Sequence, residues 1–425
     1  MNDFSTTGGS RRDFLRKASA VTGAAALGGF PAIVSAQAKP IRIGLVGIMS
    51  GRVAQALLSA QSAISMDIDA FNKAGGLNGR MIELVPHDSK GKPDDAARYT
   101  REMINSEGCE IILDFEGSSG SFAVHEVIRG SKALCVHCGS EAAQLTADPK
   151  LQIPNAFRTA RQSIHDSIVG GKFAANIVKA KGLTRWATIA SDYAYGREAT
   201  PEFLYYVRAG GAKVDIVAES WPKLFQPDYT ENIVKLQQAK PEAVFCGLWG
   251  GDLVAFMNQA NLFNLFNGVT LFSIHMGDYT TMTSIKNMPK GGLYSSNRYV
   301  RNFPDTPANK AWSDEFQKKF KALPTNWSWE GSTGMRALIA AMRQTKSADP
   351  LKLAEAMRGM QIQSPVGVQA NGTITMRAKD QTVVDYALGW GEVIPADPYM
   401  VNITAANWRE VIALETEWKK RNGYI

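Results

Sequence analysis

The sequence has few of the side chains on which metal and covalent chemistry usually depend. Its 425 residues include only five His and four Cys. No two histidines have the spacing of a helical metal site, and the pair Cys135 and Cys138 has no second pair to complete a zinc site. We expect no metal. A disulfide between these two cysteines requires a turn of the chain between them, so buried thiols are the favoured state.

Motifs for nucleotide binding and for nucleophilic catalysis are also missing. The glycines of "GLVGIMSG" do not follow the G-x-G-x-x-G spacing of a dinucleotide site, and no phosphate-binding GK[ST] loop occurs. The segment "EGSSG" lacks the G-x-S-x-G pattern that exposes a nucleophilic serine. The sequence therefore predicts that the protein holds no cofactor and is not an enzyme.

Charge of one sign is not concentrated anywhere in the chain. The formal net charge is +7, and basic residues alternate with acidic ones without a basic run or an Arg/aromatic stripe. Nucleic-acid binding depends on a clustered basic surface that meets the phosphates. Nucleic acid is therefore excluded as a predicted partner.

The first 38 residues have the composition of an export signal. Arg11 and Arg12 in "SRRDFL" are followed by an uncharged Ala/Gly-rich segment and the small-residue end "AQA". This arrangement resembles the twin-arginine signal, which the export machinery of bacteria reads on proteins that are already folded. We expect cleavage after Ala36 or Ala38 and a mature protein in the periplasm. An uncleaved membrane anchor is the weaker alternative, because Pro31 and many small residues suit a bilayer span poorly.

After the signal, strand and helix patterns alternate along the chain. The apolar segment "IRIGLVGIM" predicts a strand, and the next helix has Leu57, Ile64, Ile68 and Phe71 at helical spacing. The alternation continues to "KALCVH" and then starts afresh after "NAFRTARQ". Such a repeat predicts two α/β units, each with a parallel sheet covered by helices on both faces.

Ligands of open parallel sheets bind at the carboxyl ends of the strands, so the loops there are the candidate site. Those loops contain hydroxyl side chains at predicted helix starts, together with aromatic residues; the main ones are Ser118, Ser119, Ser140, Tyr195 and Trp249. Hydroxyl groups and helix N-termini suit a carboxylate. Each serine taken alone is equally well explained as a helix N-cap.

Four segments, "IRIGLVGIMSG", "AGGLNGRMIELVPHD", "SDYAYGRE" and "DYTENIVKLQQAKPEAVF", resemble the leucine/isoleucine/valine-binding type of periplasmic solute-binding protein. The resemblance implies two Rossmann-like three-layer lobes joined by a three-segment hinge. It places residues 39–160 and 300–382 in the first lobe, and residues 161–299 and 383–425 in the second, after the signal at 1–38.

The same resemblance assigns roles to particular residues. Ser118 and Ser119 fall where the family holds a ligand carboxylate. Gly139 and Ser140 fall where it uses a backbone group and a hydroxyl, with Glu141 as a competitor for that place. Tyr195 matches the tyrosine that the second lobe contributes.

Two positions depart from the pattern of the branched-chain amino acid binders. Ala56 stands where those proteins have an aromatic residue. Met276 stands where they have the acid that receives the ligand ammonium, and Asp278 or one of the glutamates, Glu116 or Glu141, could replace that acid. The resemblance therefore implies a small carboxylate ligand that need not be an amino acid.

The function implied by the resemblance is that of the binding component of an ABC importer. Its expected partners are a small-molecule ligand and the permease subunits in the inner membrane, and a monomer is expected. A ligand sensor that controls a regulator is the alternative, against which the export signal argues. An enzyme built on a doubly wound sheet is a third reading, which no group of acid, base or cofactor residues supports.

Overall fold

A computed structural model describes residues 39–425. The predicted signal, with Arg11, Arg12 and both cleavage positions, lies outside the described residues. The chain begins with a parallel sheet whose strand order is β2-β1-β3-β4-β5. The strands are β1 (Ile41–Gly47), β2 (Ile82–Asp88), β3 (Ile111–Phe115), β4 (Leu134–His137) and β5 (Ala156–Arg158). The helices between them are α1 (Gln55–Lys73), α2 (Pro93–Asn105), α3 (Ser118–Arg129) and α4 (Gln144–Ala147).

Local sequence accounts for these elements. All five residues of β3 are buried, as expected for a strand covered on both faces. Helix α2 starts with Pro93, whose fixed φ suits the first helical position, and carries Asp94 and Asp95 at its positive end. The apolar residues predicted at helical spacing on α1 are all buried.

The second α/β unit repeats the alternation. Its strands are β6 (Arg185–Ala190), β7 (Asp215–Ser220), β8 (Ala243–Gly247), β9 (Thr270–Asp278) and β10 (Leu293–Tyr299), which pair in parallel. Its helices are α5 (Ser163–Lys181), α6 (Ala194–Ala209), α7 (Thr230–Ala239), α8 (Gly250–Leu262) and α9 (Tyr279–Met282).

The chain then returns to the first sheet. Three helices follow, namely α10 (Pro307–Phe320), α11 (Asn326–Thr345) and α12 (Pro350–Met357). Helix α11 lies close to the sheet through its glycines, since a Cβ on Gly331 would be 2.8 Å from the ring of Phe115, and one on Gly334 would be 2.9 Å from Cys138 Sγ. A small antiparallel sheet comes next, formed by β11 (Gln361–Gln363), β12 (Thr373–Met376) and β13 (Val383–Val384).

The last segment completes the second sheet. Strands β14 (Gly389–Val393) and β15 (Met400–Ala405) add to it in antiparallel orientation, and α13 (Trp408–Arg421) ends the chain. The full order is β15-β14-β10-β9-β8-β6-β7. The predicted fold class, two α/β lobes with parallel sheets, is confirmed.

Three chain segments connect the two sheets, and hydrogen bonds join them to one another. Arg161 Nη1 donates to the carbonyl oxygen of Asn297 at 2.7 Å. The Asn297 side chain in turn donates to the Ala387 carbonyl at 3.2 Å and accepts from the Gly389 N–H at 2.6 Å. The three crossings therefore meet in one place.

All four cysteines, including Cys135 and Cys138, are buried free thiols. Within residues 39–425, no helix combines the length and the apolarity needed to cross a bilayer.

Candidate functional site

A cavity lies where strands of both sheets end. Its walls are formed by Ile48, Val53, Ala56, Leu57, Phe115, Glu116, Gly117, Ser118, Gly139, Glu141, Tyr193, Tyr195, Trp249, His275 and Trp327. The space between these walls, its open mouth included, is about 460 Å³. A space of this size suits a compact ligand.

One end of the cavity is formed by the start of α3. Ser118 is the first residue of that helix, and its Oγ accepts a hydrogen bond from Ala142 N at 3.2 Å, which leaves its own proton for another acceptor. Gly139 packs against the neighbouring strand so closely that a Cβ there would lie 2.9 Å from Phe115 Cα. A hydroxyl donor beside a helix N-terminus is an arrangement that suits a carboxylate.

A buried glutamate stands beside this end. Glu116 is 2% exposed, and its Oε1 has no hydrogen-bond partner among the described residues. Burial raises the pKa of Glu116 to about 8, a hydrogen bond with Ser89 opposes the shift, and the negative charges of Asp114 and Asp88 add to it. At neutral pH Glu116 is therefore mostly protonated, and a protonated carboxyl can donate a hydrogen bond.

The second glutamate of the cavity is tied to the segments that connect the two sheets. Glu141 Oε1 accepts a hydrogen bond from Arg298 Nη2, and Arg298 Nη1 lies 3.1 Å from Asp166 Oδ2. Arg161 Nη2 completes the group at 2.5 Å from Asp166 Oδ1. Burial raises the pKa of Glu141 to about 7, while the Arg298 guanidinium lowers it. The charge of Glu141 is thus balanced within the protein.

Neutral and aromatic side chains form the remaining walls. The Tyr195 hydroxyl is buried and has no hydrogen-bond partner in the described part of the chain. Burial, then the cations Arg298 and Arg161, hold the pKa of His275 well below its usual range, so its imidazole is neutral. His275 stacks on Trp327 with ring planes 5° apart, and Trp249 meets Trp327 with ring centroids 6.1 Å apart.

Contacts across the cleft hold the two sheets together over the cavity. Arg52, in the loop after β1, donates from Nη1 to the Gln226 carbonyl at 2.8 Å and lies 3.8 Å from Asp252 Oδ1. On the other side of the cavity, a Cβ on Gly117 would be 3.8 Å from the Tyr193 ring. The structure is therefore in a closed arrangement.

The predicted site residues divide into two groups. Ser118, Gly139, Tyr195 and Trp249 line the cavity together. Ser119, Ser140, Met276 and Asp278 do not line it.

Met276 lies in the hydrophobic core, fully buried. Its neighbour His275 faces the cavity instead, because successive side chains of a strand point to opposite faces. The resemblance aligns Met276 with the acid that faces the ligand. In the structure, the residue of β9 that faces the cavity is His275, one position earlier.

Both carboxylate oxygens of Asp278 accept hydrogen bonds from the protein backbone. Its Oδ1 caps α9 by accepting from Thr280 N at 3.0 Å, and its Oδ2 accepts from Asn326 N at 2.8 Å. The idea that Asp278 replaces the missing acid in the cavity is therefore not supported by this geometry. Ser140 is also buried, but Glu141 beside it reaches the cavity in its place.

The sequence indicates Glu116 and Glu141 only as possible replacements for the acid at the Met276 position. It gives no prediction that His275 or Trp327 reaches the site. The place of His275 in the last half of a buried strand was the available signal. Trp327 lies on α11, far from the strand-end loops in sequence, so only the tertiary fold brings it to the site. Among residues 39–425, no group of three His, Cys, Asp or Glu side chains is arranged to hold a metal ion.

Two α/β lobes that close on one cavity define a ligand-binding protein. The chain belongs to the periplasmic binding protein family, whose model matches residues 40–388. It is similar to the leucine-, isoleucine-, valine-, threonine- and alanine-binding protein of Pseudomonas aeruginosa, with 26% identity over 81% of this chain and 88% of that protein. Members of this kind are binding proteins rather than enzymes, so the prediction that the chain is not an enzyme is confirmed.

Solved structures with the same fold include two from Rhodopseudomonas palustris. One is an ABC transporter solute-binding protein in complex with 3,4-dihydroxybenzoic acid, with a TM-score of 0.76, 24% identity and coverage of 86% of this chain and 96% of that one. The other is a solute-binding protein in complex with benzoate, with a TM-score of 0.73, 20% identity and coverage of 87% and 98%.

Proposed function

We propose that the protein is the periplasmic solute-binding component of an ABC importer and captures a small carboxylate in the cavity between its lobes. The observation that carries this proposal is the set of neutral donors there: the Ser118 hydroxyl, the free Tyr195 hydroxyl and the start of α3. Each hydrogen bond from a neutral donor to a charged group is worth roughly 1.5 to 3 kcal/mol.

The charges around the cavity favour an acid without an ammonium group. An ammonium removed from water needs an ionised partner. Glu141 is already paired with Arg298, Glu116 is mostly protonated at neutral pH, and His275 is neutral. The aromatic walls suit a flat apolar body. The benzoate-type ligands of structural neighbours agree with an aromatic acid, whereas the names of sequence relatives favour an aliphatic amino acid.

A calorimetric panel at pH 7 separates these ligands. We expect 4-hydroxybenzoate or benzoate to bind more tightly than leucine or valine. Ser118→Ala should weaken binding by about tenfold or more, which corresponds to the loss of one such hydrogen bond. Ser119→Ala, one residue along but outside the cavity, is the matched control and should bind like the wild type.

Tight binding of leucine or valine with no binding of acids that lack an amino group would contradict the proposed ligand class. Equal effects of the two serine variants would contradict the proposed role of Ser118.

Ligand capture and delivery require two lobes that move. We propose residues 39–160 with 300–382 as the first lobe and residues 161–299 with 383–425 as the second, acting as a monomer that hands its ligand to permease subunits. The proposed ligand contacts are Ser118, Gly139, Tyr195 and Trp249. The crossings joined through Arg161 and Asn297 are the proposed hinge.

Export through the twin-arginine machinery completes the proposal. It rests on Arg11 and Arg12 and on the small-residue end at Ala36 or Ala38. Replacement of both arginines by lysine should leave the precursor in the cytoplasm, as fractionation followed by immunoblotting would show. Undiminished arrival of the double variant in the periplasm would refute this route.

A further inference from the structure

A second pocket adjoins the cavity. It lies between the starts of α1 and α8 and the short helix α9, and the space between its walls, its open mouth included, is about 760 Å³. The same measure gives about 460 Å³ for the cavity itself. The second pocket, which we call the side pocket, is therefore at least as roomy as the cavity.

The cavity and the side pocket share three wall residues, Val53, Ala56 and Trp327. Of these, Ala56 has the smallest side chain, and it stands where the resemblance to branched-chain amino acid binders places an aromatic residue. A large side chain at this position would fill the space between the two volumes. Ala56 contributes only a methyl group to this shared wall.

The far side of the side pocket contains a buried polar group without a partner. Thr281 is 1% exposed, and its Oγ1 makes no hydrogen bond within residues 39–425. The neighbouring Thr280 hydroxyl, by contrast, is bonded to Asp278 at 2.7 Å. A buried hydroxyl that lacks a partner in the protein is a natural contact for a polar atom of a ligand.

We propose that the side pocket is the distal part of the binding site and that the protein takes elongated aromatic acids. The carboxylate lies near Ser118, the chain passes Ala56, and a hydroxyl at the far end reaches Thr281. This inference rests on the proposed function and narrows its ligand class. Because the pocket has walls from both lobes, a ligand that fills it also holds the lobes closed.

Calorimetry with three acids tests the inference: benzoate, 3-phenylpropionate and 3-(4-hydroxyphenyl)propionate. The wild type should bind both longer acids more tightly than benzoate, since each buried methylene adds about fourfold. Ala56→Leu should weaken the longer acids at least about tenfold more than it weakens benzoate, because only the longer acids must pass this side chain. Ser62→Leu, on the same helix but in neither pocket, is the matched control.

A second variant tests the proposed contact between Thr281 and the hydroxyl at the far end of the ligand. Thr281→Val should remove the advantage of 3-(4-hydroxyphenyl)propionate over 3-phenylpropionate, a change of about threefold to tenfold, whereas Thr283→Val should not. A variant that still binds benzoate is folded.

If Ala56→Leu affects long and short acids equally, or neither, the inference is overturned while the proposed function stands. If the wild type binds none of the three acids, the inference and the proposed preference for aromatic acids are both overturned.

Discussion

At the residue scale, the cavity responds to pH through Glu116. Its neighbours are the acids Asp114 and Asp88 and the hydroxyl of Ser89, with no cation among the influences on its pKa. Since the pKa of Glu116 in the folded protein is about 8, above the ordinary value of 4.5, the folded state holds a proton that the unfolded state releases. Its contribution to the free energy of unfolding is therefore greatest at low pH and is lost as the pH rises toward 8.

In the proposed binding mode, the same proton should control the affinity for an anion. We expect the affinity of the wild type for 4-hydroxybenzoate to fall as the pH rises through 8, approaching about tenfold per pH unit, because ionised Glu116 repels the carboxylate. Glu116→Gln keeps a neutral donor in place and should remove most of this decline. Calorimetric titrations from pH 6.5 to 9.5 measure both profiles, and parallel profiles would rule out this role of Glu116.

Tyr195 gives a second prediction at this scale, because its hydroxyl is buried without a partner in the protein. Tyr195→Phe should leave the unliganded protein as stable as the wild type, or up to about 1 kcal/mol more stable, yet weaken carboxylate binding by about tenfold. Tyr206→Phe is the contrasting control, since Tyr206 donates to the Leu414 carbonyl at 3.3 Å away from the cavity. That variant should lose about 1 kcal/mol of stability with unchanged affinity. Chemical denaturation combined with calorimetry distinguishes the two patterns.

At the element scale, β10 carries the ionic group that joins the cavity to the segments connecting the two sheets. Arg298 on that strand lies between Glu141, a cavity wall, and Asp166 at the start of α5, and all three are buried. Burial, and after it the charge of Glu141, raises the pKa of the adjacent Glu330 well above its usual range. The guanidinium groups of Arg298 and Arg161 thus face the carboxyl groups of Asp166 and Glu141.

Removal of one cation should unbalance this group. Arg298→Met leaves buried carboxylates without their partner and should cost about 3 to 5 kcal/mol of stability. Arg301→Met is the matched control three residues further on, because the ion pair of Arg301 with Asp314 is exposed and should contribute less than about 1 kcal/mol. Urea denaturation measures both, and equal losses would contradict the structural role assigned to Arg298.

The order of helices and strands along the chain could be predicted from the sequence better than the pairing of strands that are far apart in it. Alternating apolar patterns on β1 and α1 are local signals, so the parallel α/β repeat was evident without a structure. The antiparallel return of β14 depends on its pairing with β10, about a hundred residues away, as in the partners Ser295 and Gly391. No local pattern encodes that pairing. For the same reason, strand-end loops indicated Ser118 as a cavity residue but not Trp327, which arrives from a helix.

At the scale of the whole molecule, the arrangement is a closed one held by contacts across the cleft. Besides the contacts of Arg52, Glu198 on α6 accepts hydrogen bonds from the backbone of Ala143 at 2.6 Å and Gln144 at 3.2 Å. A ligand shifts the balance between open and closed forms only by its greater affinity for the closed one. A carboxylate that meets Ser118 from one sheet and Tyr195 from the other has that preference, because only the closed form offers both.

Small-angle X-ray scattering with and without ligand measures the closure of the lobes. The radius of gyration of the wild type should fall when 4-hydroxybenzoate, or the tightest acid of the calorimetric panel, is added to saturation. The double variant Ser118→Ala and Tyr195→Phe should show no such fall at the same ligand concentration. An unchanged radius in wild-type protein that calorimetry shows to be fully loaded would contradict the account of capture by closure of the lobes.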